Sequence, residues 1–273
     1  MCKDCGCDRP GEVAIDGVPA EMNGEHPVED PGHPHDHPHP HPPDHDHGHP
    51  HPSPHGMRRT VPVDQGSLQR NDRLAERNRG FFQAKGLTVL NVLASPGAGK
   101  TAFLERTAAD VGPRFRLGVI VGDQATEHDA ARLREHGVPA VQITTGSLCY
   151  LDAEMVARAM GHLDLDALDL LFIENVGNLV CPAVCDLGEH ARVVLLSVTE
   201  GEDKPLKYPV IFQHTQVVVI NKMDLAAAVG FDREVAVRNI RCVAPEATVF
   251  EVSAKTAQGM DGWYEFLART VRR

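Results

Sequence analysis

The first 56 residues contain no leucine, phenylalanine, tyrosine or tryptophan, so this stretch has almost nothing from which to build a packed core. It is also poor in base: two Lys+Arg stand against eleven Asp+Glu, which places nine of the net eleven negative charges of the 273-residue chain here. No apolar run anywhere approaches the roughly 18 residues of a membrane span, and the N-terminus has neither the basic nor the apolar region of a secretory signal. These absences argue against a membrane partner and predict a cytoplasmic protein. Residues 57–273 are nearly neutral, with 27 acids and 25 bases, and lack the basic stripe of nucleic-acid binders, so no nucleic-acid partner is expected.

The same 56 residues hold 11 of the 16 histidines, 12 of the 20 prolines and three of the seven cysteines. From Gly24 to Gly56 proline recurs every few positions, which excludes a continuous helix or central strand and predicts a disordered, partly polyproline-like tail. Its His33, His35, His37, His39, His41, His45, His47, His49, His51 and His55 offer imidazoles that are neutral above about pH 6.5 and suited to Ni²⁺, Cu²⁺ or Zn²⁺ storage. Cys2, Cys5 and Cys7 form a Cys-x-x-Cys-Gly-Cys cluster, close enough for three thiolates to share one thiophilic ion and too short for a packed zinc domain. The chain therefore divides into a metal-binding tail, 1–56, and a globular domain, 57–273.

From Ser67 to Lys85 the pattern is helical, ending at Gly86. Seven short apolar runs follow, at 87–93, 117–121, 138–143, 168–173, 193–198, 217–220 and 248–252. Helical patterns fall between and after them, at 100–111, 126–136, 152–163, 204–213, 232–242 and 261–271. Strands that are apolar throughout belong in a mostly parallel sheet buried on both faces, so the expected fold is a doubly wound α/β domain with its ligand at the carboxyl ends of the strands.

The chemistry clusters at those ends. The first strand runs into Ala94-Ser95-Pro96-Gly97-Ala98-Gly99-Lys100-Thr101 and then a helix, the context of a phosphate-binding P-loop with alanine at the usual first glycine. There Gly97, Ala98 and Gly99 bring backbone N–H groups to the phosphates, Lys100 neutralises charge, and Thr101 is suited to Mg²⁺. Asn221-Lys222-Met223-Asp224 names the base, because a carboxylate at Asp224 accepts both N–H donors of guanine and would be left unpaired by adenine. Ser253-Ala254-Lys255 matches the further guanine-contacting loop, making GTP the expected nucleotide. Asp123, in Gly122-Asp123-Gln124, and Glu174, before Asn175-Val176-Gly177, occupy the places of Mg²⁺-organising acids, with the Gly177 N–H sensing the γ-phosphate. Thr126 is the better cap for the helix that follows Asp123, which leaves that carboxylate for hydrolysis. Cys149 and Cys181 lie inside the domain, and Cys181 comes four residues after Gly177.

The N-terminal Cys cluster, the His-rich tail, the P-loop, Gly122 to Thr126, the stretch Glu174-Asn175-Val176-Gly177-Asn178-Leu179-Val180-Cys181-Pro182-Ala183 and Glu202 to Pro209 together resemble the HypB family. Its members are GTPases of the dimer-forming metallochaperone group that assist nickel insertion into [NiFe]-hydrogenase. The resemblance spans nearly the whole chain and implies a homodimer that passes nickel among a HypA-type chaperone and the hydrogenase large-subunit precursor, with GTP state controlling release. It also implies a tight nickel site at Cys2, Cys5 and Cys7 and a weaker nickel or zinc site from a Cys-His pair and a later cysteine, matching Cys149, position 150 and Cys181. Position 150 is tyrosine here, a poor donor at neutral pH with its ordinary pKa of about 10. The expectation is that Cys185, one helical turn after Cys181, replaces the imidazole and shifts preference toward Zn²⁺. Two other readings stay open: a sister urease- or cobalamin-type GTPase, which would lack the Cys cluster and the Glu174 to Ala183 stretch, and a nickel-storage protein whose main business is the tail.

Overall fold

A computed structural model describes residues 13–20 and 65–271. Cys2, Cys5, Cys7 and the tail histidines lie outside the described residues. Among the described residues nine strands form one sheet; numbered in chain order from β1 (Ala14–Ile15) and β2 (Val18–Pro19), they lie in the order β2-β1-β5-β4-β6-β3-β7-β8-β9. Seven of them are the expected runs: β3 (Thr88–Ala94), β4 (Leu117–Asp123), β5 (Ala140–Thr144), β6 (Leu170–Glu174), β7 (Ala191–Ser197), β8 (Val217–Asn221) and β9 (Thr248–Glu251). All seven pair in parallel.

Along β3 the side chains alternate between two packed layers, as the two-residue period of a strand requires. Leu90, Val92 and Ala94 join the core beneath α2 (Lys100–Val111), α3 (His128–Glu135) and α9 (Met260–Thr270), where Phe103, Leu133, Trp263 and Leu267 are buried. On the other face Val89 packs with Phe82 of α1 (Gln65–Lys85) and Met155 of α4 (Ala153–Met160). Leu93 packs instead with the layer containing Ile211 and Ile240. A sheet covered on both faces explains the uninterrupted apolar strands.

Two departures from the sequence reading matter. The run 204–213 is two short helices, α5 (Lys204–Lys207) and α6 (Pro209–Gln213), because Pro209 has no N–H with which to continue a helix and so begins a new one. Two further helices, α7 (Ala226–Val229) and α8 (Arg233–Val243), complete that side.

The second concerns residues 13–20, grouped by composition with the tail. They form a hairpin, β1 (Ala14–Ile15) and β2 (Val18–Pro19), turned by Asp16-Gly17 and paired antiparallel to the edge of β5. Val13 and Ile15 are buried in the same cluster as Leu151, and the Asp16 carboxylate accepts from the Gln142 N–H at 2.8 Å and from Arg134. The unit that packs as one body thus includes part of the N-terminal segment.

Candidate functional site

The carboxyl ends of β3, β4, β6 and β8 converge on one cleft. β3 turns through residues 95–99 into α2, and Gly99 adopts φ +96 with the space for a Cβ taken by Asn221 Nδ2 at 2.8 Å. Glycine is therefore required there by conformation and by room. Asn221, buried at the end of β8, donates from Nδ2 to the Ala98 carbonyl at 3.0 Å and accepts the Ala254 N–H at Oδ1, 3.2 Å away. Lys222 donates to the Gly97 carbonyl at 2.6 Å, and Asp224 Oδ1 accepts from Ser253 Oγ at 2.6 Å, while Ser253 Oγ also accepts the Thr256 N–H. Three motifs far apart in sequence are thereby one hydrogen-bonded frame.

A cavity of about 370 Å³ sits beside this frame, lined by Lys100, Thr101, Asp123, Glu174 and Gly177 among others. Glu174 is 2% exposed, and its Oε1 accepts from Thr101 Oγ1 at 2.8 Å. Its Oε2 is buried with no hydrogen-bond partner among the described residues. Burial pushes the Glu174 carboxyl up to about 7 against the Lys100 charge and the Thr101 hydroxyl, which favour ionisation, and Asp129 and Asp123 add to the rise. A Cβ at Gly177 would lie 3.1 Å from Pro96, so this glycine lets the loop after β6 rest on the P-loop.

Asp123 lines the cavity but has a second task that the sequence reading assigned away from it. Its Oδ1 accepts the Ala125 and Thr126 N–H groups at 2.9 and 2.8 Å, holding the turn before α3, whose N-cap is Glu127 rather than Thr126. Asp129 and Arg132 of α3 also line the cavity and were missed, since no motif marks them.

The cysteine loops lie next to this cleft. Cys149 follows β5 and Cys181 follows β6, and their sulfurs are 2.7 Å apart. Amide side chains from the Glu174 loop hold the Cys149 loop: Asn178 Nδ2 donates to the Cys149 carbonyl at 3.4 Å, and Asn175 Oδ1 accepts the Leu151 N–H at 3.1 Å. From α1, Asn78 donates to the carbonyls of Ala153 and Leu187, and Asn71 bridges the Ala153 N–H to the Asp186 carbonyl. The Thr145 N–H donates to the Asp123 carbonyl, joining the Cys149 loop directly to the nucleotide side.

Cys185 does not complete the pair. Among the described residues no three His, Cys, Asp or Glu side chains gather into a metal-holding group. The reason is local: Cys181–Val184 is a 3-10 turn, which returns to the same face after three residues, so Val184 is exposed while Cys185 points inward. Burial pushes the Cys185 thiol up to about 12. Tyr150 is no substitute either, because burial, followed by the nearby acidic groups, raises its phenol above the ordinary value and keeps it protonated.

The fold and the cleft define a P-loop nucleotide-binding protein, and residues 88–251 match the model of the CobW/HypB/UreG nucleotide-binding domain. The chain belongs, within that group, to the HypB family of hydrogenase maturation factors. It is 52% identical over 211 residues to HypB of Azotobacter vinelandii, covering 77% of this chain and 70% of that one, and 49% identical over 210 residues to HypB of Escherichia coli K12, covering 77% and 72%. The crystal structure of Helicobacter pylori HypB in complex with nickel superposes with a TM-score of 0.70 at 41% identity, covering 73% of this chain and 94% of that one. Archaeoglobus fulgidus HypB gives 0.70 at 40% identity, over 75% and 100%. Among the described residues no helix is long and apolar enough to cross a membrane.

Proposed function

We propose that this protein is a GTP-hydrolysing nickel metallochaperone for [NiFe]-hydrogenase maturation, in which nickel binding and release follow GTP state and dimerisation. The observation that carries the reading is the physical continuity between the nucleotide cleft and the cysteine pair. One loop holds Glu174 against Thr101, Gly177 against Pro96, and Asn178 and Cys181 against Cys149.

The frame around Asn221 orients Asp224 for the guanine edge and holds the Ser253-Ala254-Lys255 loop beside it, where a backbone N–H of that loop meets the guanine oxygen. Lys100 and the P-loop N–H groups neutralise the phosphates, and the Gly177 N–H meets the γ-phosphate. The donor set fits Mg²⁺, since the unpartnered Glu174 Oε2 is a buried oxygen beside the Thr101 hydroxyl. Thr101, Glu174 and Asp123 would hold Mg²⁺ directly or through its water, and the ion would supply charge neutralisation at the phosphates. Loss of the γ-phosphate releases Gly177 and lets the loop move Cys181 relative to Cys149, changing the affinity for nickel or zinc. Such a switch works only through different metal affinities in the two nucleotide states. A partner copy, a HypA-type chaperone and the hydrogenase large-subunit precursor are the expected recipients and contacts.

Asp224→Asn tests the reading. It should weaken GTP and favour xanthosine triphosphate by up to about 10⁴-fold in relative affinity. In a strain lacking the chromosomal gene, the variant should restore hydrogenase poorly unless excess nickel is supplied. Unchanged GTP affinity would overturn the nucleotide assignment, and full hydrogenase activity in the gene-deleted strain at limiting nickel would overturn the function.

A further inference from the structure

We propose that Cys149 and Cys181 form a reversible disulfide by exchange with a low-molecular-weight disulfide, and that this link and metal binding exclude one another. The inference stands on the thiol geometry and does not depend on which metal is the cargo. The two sulfurs, 2.7 Å apart, need to close by less than ~1 Å to reach the ~2.05 Å of a bond. Both residues are of intermediate exposure, open to a small reagent. The other described cysteines lack this arrangement: Cys185 is buried, and Cys242 is exposed on α8, on a different element.

Among the described residues no third His, Cys, Asp or Glu side chain gathers with the pair. Tyr150 stands where the family resemblance calls for an imidazole. Two thiols at this distance retain the option of bonding to each other.

The exchange balances without a metal. One cysteine thiolate attacks a sulfur of the small disulfide and releases one small thiolate, leaving a mixed disulfide on the protein. The second cysteine thiolate then attacks the protein-bound sulfur and releases the other small thiolate. Two electrons pass from the cysteines to the small disulfide, and the two cysteine protons end on the released thiols. The product ties the loop after β5 to the loop after β6 and removes both thiolates as metal ligands.

The test uses the full chain, freed of metal and incubated with oxidised glutathione. Remaining thiols are alkylated, and the digest is mapped by mass spectrometry. A peptide linking Cys149 to Cys181 should account for most of both residues and disappear after dithiothreitol. Cys149→Ser and Cys181→Ser, each checked for an unchanged thermal melt, should convert the remaining partner to a glutathione adduct. Saturation with Zn²⁺ before oxidation should abolish the link. Recovery of Cys149 and Cys181 as alkylated thiols, as separate glutathione adducts in the unsubstituted chain, or linked to other cysteines would overturn the proposal. An equal yield of the link in the Zn²⁺-saturated protein would overturn the mutual exclusion.

Discussion

The nucleotide cleft and the cysteine pair share the carboxyl end of one sheet, but they are held in different ways. The cleft is built largely from backbone: P-loop N–H groups and carbonyls fixed by Asn221 and Lys222, with a single side-chain bond aiming Asp224. The cysteine loops are suspended by amide side chains reaching across from neighbouring elements, namely Asn175 and Asn178 from the Glu174 loop and Asn71 and Asn78 from α1. A backbone-built site resists deformation, whereas loops hung on a few side-chain bonds have discrete contacts that can be exchanged. The difference suits a receptor that keeps its shape and a cargo site that changes with what the receptor holds.

Removing the pin of the rigid region should produce the largest effect. Asn221→Ala leaves the Ala98 carbonyl and the Ala254 N–H without their side-chain partner in buried surroundings, a loss of about 2–4 kcal/mol. For a domain of this size the melting temperature should fall by about 5–15 °C. Thermal unfolding followed by circular dichroism checks it, and a shift under ~2 °C would show that the frame does not depend on Asn221.

The cysteine side should respond to a gain rather than a loss. Tyr150→His supplies a donor that is neutral above about pH 6.5, beside two sulfurs already in contact. In a background with Cys2, Cys5 and Cys7 replaced by serine, domain affinity for Ni²⁺ should rise at least about tenfold, or 1.4 kcal/mol. The gain should fade below pH ~6.5 as the imidazole protonates. Competition with a chromophoric chelator across pH reads both, and an unchanged affinity at pH 8 would mean that position 150 does not face the metal.

How much of this was legible in the sequence follows the same division. Strands that are apolar on both faces announced the sheet, and the P-loop, Asn221 to Asp224 and Ser253 to Lys255 announced the nucleotide, because backbone-built sites demand fixed residues at fixed spacing. Asp129 and Arg132 reach the cavity only because α3 folds over it, and such tertiary placement leaves no local signature. The hairpin at 13–20 did have a signal, Asp16-Gly17 between Ile15 and Val18, but it was hidden inside a composition dominated by the tail. Cys185 was misplaced by assuming an α-helical turn where Cys181–Val184 forms a 3-10 turn, a difference of about one residue in spacing that leaves the thiol buried. The amides at 71, 78, 175 and 178 were unreadable because asparagine in a helix or loop has many uses and only the fold selects one.

The smallest expected effect bears most directly on the contrast between the two regions. Asn178→Ala removes one long hydrogen bond to the Cys149 carbonyl at a part-buried position, about 0.5–1.5 kcal/mol. If that bond helps set the distance between the two sulfurs, Ni²⁺ affinity of the domain should drop by roughly two- to tenfold while GTP affinity stays the same. Isothermal titration of each ligand separates the two. A parallel loss of GTP affinity would place Asn178 in the rigid frame, and no change in either would leave Asn175 and the α1 amides as the supports of the cysteine loop.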